Sequence, residues 1–192
     1  MMVDLGTHEE TYEGETRDRR TVRLGFELPT ELKVFKEENG EQPYLIGRDF
    51  TFSMHKKSAL RAFLQVWRGV PFNDEEASNF DIAKLLGVPA MVSISHTTKD
   101  DKTYAKLDSA MRLPKGTTCP PQVGPSMILH LDDFGSAAFS DTMAKLPEWV
   151  RKKIENSREY QSYYADAGET NAGAGAKKFV PATEEAEDIP FN

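Results

Sequence analysis

Residues 48–69, RDFTFSMHKKSALRAFLQVWRG, change hydrophobic period midway. Phe50, Phe52 and Met54 alternate with Asp49, Thr51 and Ser53, the period of two of a half-buried strand. Leu60, Phe63, Leu64 and Trp67 then fall at i, i+3, i+4 and i+7, one apolar face of a helix. Ser58 stands where an N-cap belongs, and Gly69 where a left-handed C-terminal glycine belongs. His55-Lys56-Lys57 is the polar link between the two patterns. A strand feeding one short amphipathic helix, with strands on either side, is the element that plugs a small barrel.

The flanking sequence supplies those strands. Residues 1–7 read as a short strand, and residues 8–20, charged and carrying Gly14, as a loop. In 21–28, Val22, Leu24, Phe26 and Leu28 share a face, and Pro29 is expected to end that strand. Asn39-Gly40 marks the turn from which a third strand, 44–54, returns. Asn73 and Glu76 have the spacing of a capping box. Residues 89–97 and 103–113 read as two further strands around the turn 98–102. Five strands with a helix between the third and fourth is the order of an OB-fold barrel. After a linker at 117–124 and a possible edge strand at 126–131, Leu146, Trp149, Val150 and Ile154 take helical spacing, with a helix restarting at Pro147. Trp149 is expected to dock on the barrel rather than bind a ligand. The expected organisation is therefore a mainly β domain with α over 1–116, a helical extension over 117–164, and a flexible acidic tail over 165–192.

Charge separates these regions. The chain carries a net −7, which taken alone argues against a nucleic-acid partner. Yet residues 17–68 hold eleven Lys and Arg against seven acids, while the tail after Tyr164 holds six acids against two lysines. No apolar run reaches the roughly 18 residues that span a bilayer, and the acidic N-terminus, MMVDLGTHEE, has no secretory pattern. Cys119 is the only cysteine, which permits no intrachain disulfide and fits a reducing cytoplasm.

Enzymatic readings find little to build on. No phosphate-cradling G-x-x-x-x-G-K-[ST] is present. His8, His55, His96 and His130 are isolated, and one cysteine offers no zinc spacing. Asp74-Glu75-Glu76 sits at an expected helix start, where acids complement the dipole. No catalytic residue, metal or cofactor is assigned.

Several stretches resemble one family. DLGT at 4–7, FELP at 26–29, FTFSMHKKSALRAFLQVWRGVPF at 50–72, FDIAKLLG at 80–87, SHTTKDDKTYAKL at 95–107 and KLPEWVRKKIENSREYQ at 145–161 are similar to bacteriophage and prophage OB-fold single-stranded DNA-binding proteins. Members usually carry more chain before DLGT, so the first strand is expected to be short and the barrel less well closed. Separately, EEAEDIPF at 184–191 resembles the acidic tip of bacterial single-stranded DNA-binding proteins, with Asn192 placed beyond the usual terminal Phe.

The resemblance implies a protein that binds single-stranded DNA with little sequence preference, in replication or recombination, in the cytoplasm of a bacterial host. Such a protein combines a basic groove with aromatic platforms. The candidate contacts are Arg20, Arg23, Tyr44, Arg48, Phe50, Lys57, Lys99, Lys102, Tyr104 and Lys106. Phe50 shares a face with Phe52, which also fits a core. Lys57 also fits a solvated helix entry. Tyr104 shares its face with Lys106 and Asp108, while Ala105 and Leu107 face inward. Asp188, Ile189, Pro190 and Phe191 would dock replication or repair proteins. Copies of the chain itself are a further open partner. The alternative is an OB-fold adaptor of the replication machinery that binds protein and no DNA.

Overall fold

The computed structural model describes residues 1–170, with side chains to 165. The docking tip, Asp188, Ile189, Pro190 and Phe191, and residues 171–192 of the acidic tail lie outside the described residues.

The chain is mixed α/β with a sheet-rich core. Four strands, β1 (Met2–Tyr12), β2 (Glu15–Val34), β3 (Glu41–Thr51) and β6 (Ile128–Leu129), form one sheet in the order β3-β2-β1-β6. The other two, β4 (Met91–Lys99) and β5 (Lys102–Met111), form a separate hairpin. Helix α1 (Ala59–Arg68) and the single turn α2 (Asp74–Ser78) lie between β3 and β4. Three helices, α3 (Ala137–Lys145), α4 (Glu148–Glu155) and α5 (Arg158–Thr170), complete the described chain.

The order of strands and helix follows the expectation, but the described strands do not close into one barrel. The hairpin approaches β3 where Arg48 Nη1 donates to the Asp108 carbonyl at 2.9 Å. No ladder joins the two sheets.

Local chemistry corrects several expected boundaries. Residues 8–20 are not a loop. Glu13 and Gly14 have φ of 51° and 82°, and the Tyr12–Glu15 pair closes a two-residue hairpin. Positive φ at both central residues suits the right-handed twist of the flanking strands, so β1 is a full 11-residue strand rather than a short one. Pro29 does not end β2, because a register shift between Leu28 and Leu32 takes up the irregularity. In turn, β3 stops at Thr51, three residues before the expected end.

Helix α1 forms as its sequence requires. The Ser58 hydroxyl accepts from the Arg61 amide at 3.2 Å, and Gly69 closes the helix at φ 72°. Leu60, Phe63, Leu64 and Trp67 are buried. Phe63 packs on Phe50 with ring centroids 4.9 Å apart, and Trp67 on Phe26 at 4.9 Å. Each such side chain contributes about 1.5–3 kcal/mol by burial. The Asn73–Glu76 capping box forms in both directions.

The sheet buries both faces at β1. Met2, Val22, Leu24 and Phe50 join α1 in one core. Val3 and Leu5 point the other way, into a second core with Leu129, Leu131, Phe139, Leu146, Val150 and Ile154. The DLGT motif knits these layers together. Asp4 pairs with Arg20 of β2, and Leu5 enters the second core. Gly6 sits at φ 78° in the β1 bulge, where an added Cβ would lie 2.3 Å from Ser157 Cβ. Thr7 bonds the Glu159 carboxylate through its amide at 2.8 Å and its hydroxyl at 2.6 Å, tying α5 to β1. No described helix is long and apolar enough to cross a membrane.

Candidate nucleic-acid interface

The hairpin β4–β5 gathers four of the expected contacts. Its tip is Asp100-Asp101, with φ of 51° and 59°, a left-handed conformation that Asp tolerates better than most residues. The resulting register pairs Lys99 with Lys102, Thr97 with Tyr104, and Ser95 with Lys106. Because alternate residues share a face, Lys99, Lys102, Tyr104 and Lys106 all stand on one side. All four are exposed, and Tyr104 is 53% accessible. On the opposite side, Leu107 is buried against α1 and its neighbours, while Ile94, His96 and Ala105 line a cleft. The outer face thus presents an aromatic ring between cations, with the acidic tip at its end.

Of five other candidates, four have structural duties. Phe50 does not stack on a ligand: it is 3% exposed and packed on Phe63, because its strand parity points it into the core. The Arg20 guanidinium is held on Asp4, with Nε 3.1 Å from Oδ2, and lies 5.8 Å from the Phe52 ring. Its hydrogen bond to Asp4 is the main reason its pKa is raised. Arg48 spends one nitrogen on the Asp108 carbonyl and lies 4.9 Å over the Phe50 ring. Tyr44 is half-buried, edge-on to Phe35 at 5.1 Å, on the cleft side of β3. Lys57 is exposed on the turn before α1 and stands apart from the hairpin's cations in the chain; its neighbour Lys56 bonds Asp74 at 2.9 Å.

Arg23 is the last candidate. Its Nη1 donates to Asp49 Oδ1 at 2.6 Å across the β2–β3 register, and its guanidinium lies 4.4 Å over the indole of Trp149. Trp149 does not dock as a buried anchor. Val150 and Ile154 fill the buried face of α4, which leaves Trp149 51% exposed. One turn along, Lys153 Nζ donates to Asp49 Oδ2 at 2.9 Å. This grouping was missed from sequence, although the signal was present: Trp149 is followed by Arg151, Lys152 and Lys153.

A cleft of about 1210 Å³ opens between the two sheets. Leu24, Phe26 and Ile46 form one wall, Val92 and Ile94 another, and the proline-rich segment around Pro120, Pro121 and Pro125 borders it. That segment is held by Glu27, whose carboxylate accepts from the Val123 and Gly124 amides at 2.7 Å each. Among the described residues no three His, Cys, Asp or Glu side chains gather as a metal site. No protein-family model, curated protein or solved structure matches the chain.

Proposed function

We propose that this chain is a single-stranded DNA-binding protein of the bacteriophage type, acting in replication or recombination in a bacterial host and recruiting partner proteins through residues 188–191. Binding proceeds by counterion release and base stacking, with no bond chemistry. The carrying observation is the outer face of the β4–β5 hairpin, where the 53%-exposed ring of Tyr104 lies in register with Lys99, Lys102 and Lys106. Bases of any identity stack on such a ring, and the lysines meet the phosphates on either side. The order of three strands, a helix and two strands supports reading the fold as an opened OB-type barrel. The motif resemblances at 50–72 and 95–107 support the same reading.

The test is an alanine and a phenylalanine at one position. Tyr104→Ala should weaken binding of a dT oligomer by about 1–3 kcal/mol, the usual worth of one stacked base. Tyr104→Phe should bind nearly as well as the parent. Equal binding by all three proteins removes the hairpin from the site.

The net charge of −7 favours a second reading, an OB-like adaptor that binds protein alone. A complex captured from host lysate that survives nuclease treatment, from a protein that binds no oligonucleotide, would select it.

A further inference from the structure

Trp149 has a geometry that a helix-to-sheet anchor does not need. An anchoring indole buries its ring, whereas this one keeps 51% of its surface exposed while one face is covered by a guanidinium. No other ring stacks on it among the described residues.

The support under the ring is itself built. Arg23 is fixed by Asp49 at 2.6 Å, and Asp49 is fixed in turn by Lys153 at 2.9 Å. Gly47 makes room for the guanidinium, since a Cβ there would lie 2.9 Å from Arg23 Nε. Two cations and one carboxylate leave a net positive charge beneath the indole. One helical turn from Trp149, Lys152 is mostly exposed, its ammonium 2.5 Å from Glu148 in an i,i+4 pair of the kind that contributes little at a surface. An indole held in place by a cation stack and flanked by further cations fits a nucleobase with its phosphate.

Its position also continues the hairpin face. Arg23 and Asp49 lie on the side of the β2–β3 pair opposite the buried Val22 and Phe50. Tyr104 and Lys106 lie on the side of β5 opposite Leu107. Strands β3 and β5 come together where Arg48 Nη1, on the core side of β3 with Phe50, donates to the Asp108 carbonyl; Asp108 is two residues from Lys106, and Arg48 is next to Asp49, which faces outward.

We propose that Trp149, backed by Arg23, is a second base-stacking platform, and that a single strand bound on the β4–β5 hairpin runs on across β3 to α4. This rests on the single-stranded DNA reading above. Arg23 then acts by polarising and orienting the indole, because its charge is already shared with Asp49; Lys152 takes the phosphate.

The experiment follows indole fluorescence while the full chain is titrated with a dT oligomer, in the parent, Trp149→Phe and Trp149→Ala. Trp67, the other tryptophan, is 7% exposed in the core, so quenching by bound bases should come from Trp149. The proposal expects quenching in the parent that Trp149→Phe abolishes. Affinity should fall about 5- to 150-fold in Trp149→Ala and stay within about threefold in Trp149→Phe, whose ring still stacks. Binding by the parent without quenching, and with unchanged affinity in Trp149→Ala, overturns the second platform and leaves the hairpin site standing. Loss of affinity in Trp149→Ala without quenching in the parent marks Trp149 as an anchor only and also overturns it. A parent that binds no oligomer at all overturns both readings.

Discussion

The carboxylate of Asp4 is 1% exposed and faces the guanidinium of Arg20, whose Nε lies 3.1 Å from its Oδ2. Asp4 Oδ1 also accepts the Gly6 amide at 3.0 Å inside the β1 bulge. Arg20 was expected to track phosphates, and this pairing commits it to the fold. Removing it strands a buried charge. Arg20→Ala should therefore cost about 3 kcal/mol of stability, read as a lower urea midpoint. At a temperature where the variant is folded, oligonucleotide affinity should be unchanged. A stable variant with weak binding would return Arg20 to the site.

The hairpin lysines should act through salt. Each phosphate contact on a single strand contributes about 0.7 to the slope of log affinity against log salt. Lys99→Ala combined with Lys106→Ala should flatten that slope by about 1.4. Thermal stability should stay close to the parent, because both side chains are exposed. An unchanged slope would mean that neither lysine meets phosphate.

Phe50 and Tyr104 should separate stability from binding. Phe50 is 3% exposed against Phe63, so Phe50→Ala should lose about 3–5 kcal/mol. Phe50→Leu should lose less and bind DNA as the parent does. Tyr104→Ala should do the reverse, with weak binding on a nearly unchanged unfolding curve. A Phe50→Leu protein that folds well and binds poorly would place Phe50 in the site.

Glu159 predicts how acid acts on the C-terminal helices. Burial alone would raise its pKa, but the Thr7 hydroxyl and amide, together with the charge of Arg20, outweigh burial and hold it below the ordinary value of 4.5. A carboxylate depressed in the folded state adds stability that is complete above the unfolded value and is lost as the pH falls through the folded one. The thermal midpoint should therefore exceed that of Glu159→Gln at neutral pH, and the gap should close as the pH drops below about 4.5. A gap that persists to lower pH would contradict the role given to the Thr7 contacts.

How far the sequence disclosed this molecule depended on whether the signal was local. The helix at Leu60–Trp67 was legible because four apolar residues, a serine cap and a terminal glycine all agree within one stretch. The capping box of Asn73 and Glu76 was legible for the same reason. The 8–20 hairpin was not, since its charged residues mask strand periodicity and Glu13 is an uncommon residue for positive φ. The separation of the β4–β5 hairpin from the larger sheet is a matter of tertiary spacing that no strand pattern encodes.

At the candidate site, parity along a strand carried most of the information. It placed Lys102, Tyr104 and Lys106 on one face, and it also pointed Phe50 inward. Partner choice did not show. Asp4 claims Arg20 across the hairpin, and Asp49 claims Arg23 and Lys153 from elements more than a hundred residues apart in the chain. The exposure of Trp149 follows from which turn of α4 meets the sheet, which is settled by Val150 and Ile154 in the second core.

On the reading proposed above, the basic, aromatic outer surface binds single strands by stacking and counterion release. Titration of a labelled dT oligomer and of its duplex with dA, each at several salt concentrations, tests it most directly. The expected result is binding at low salt that weakens linearly in log affinity against log salt, and a clear preference for the single strand. No binding at low salt, or equal affinity for the duplex, would contradict it.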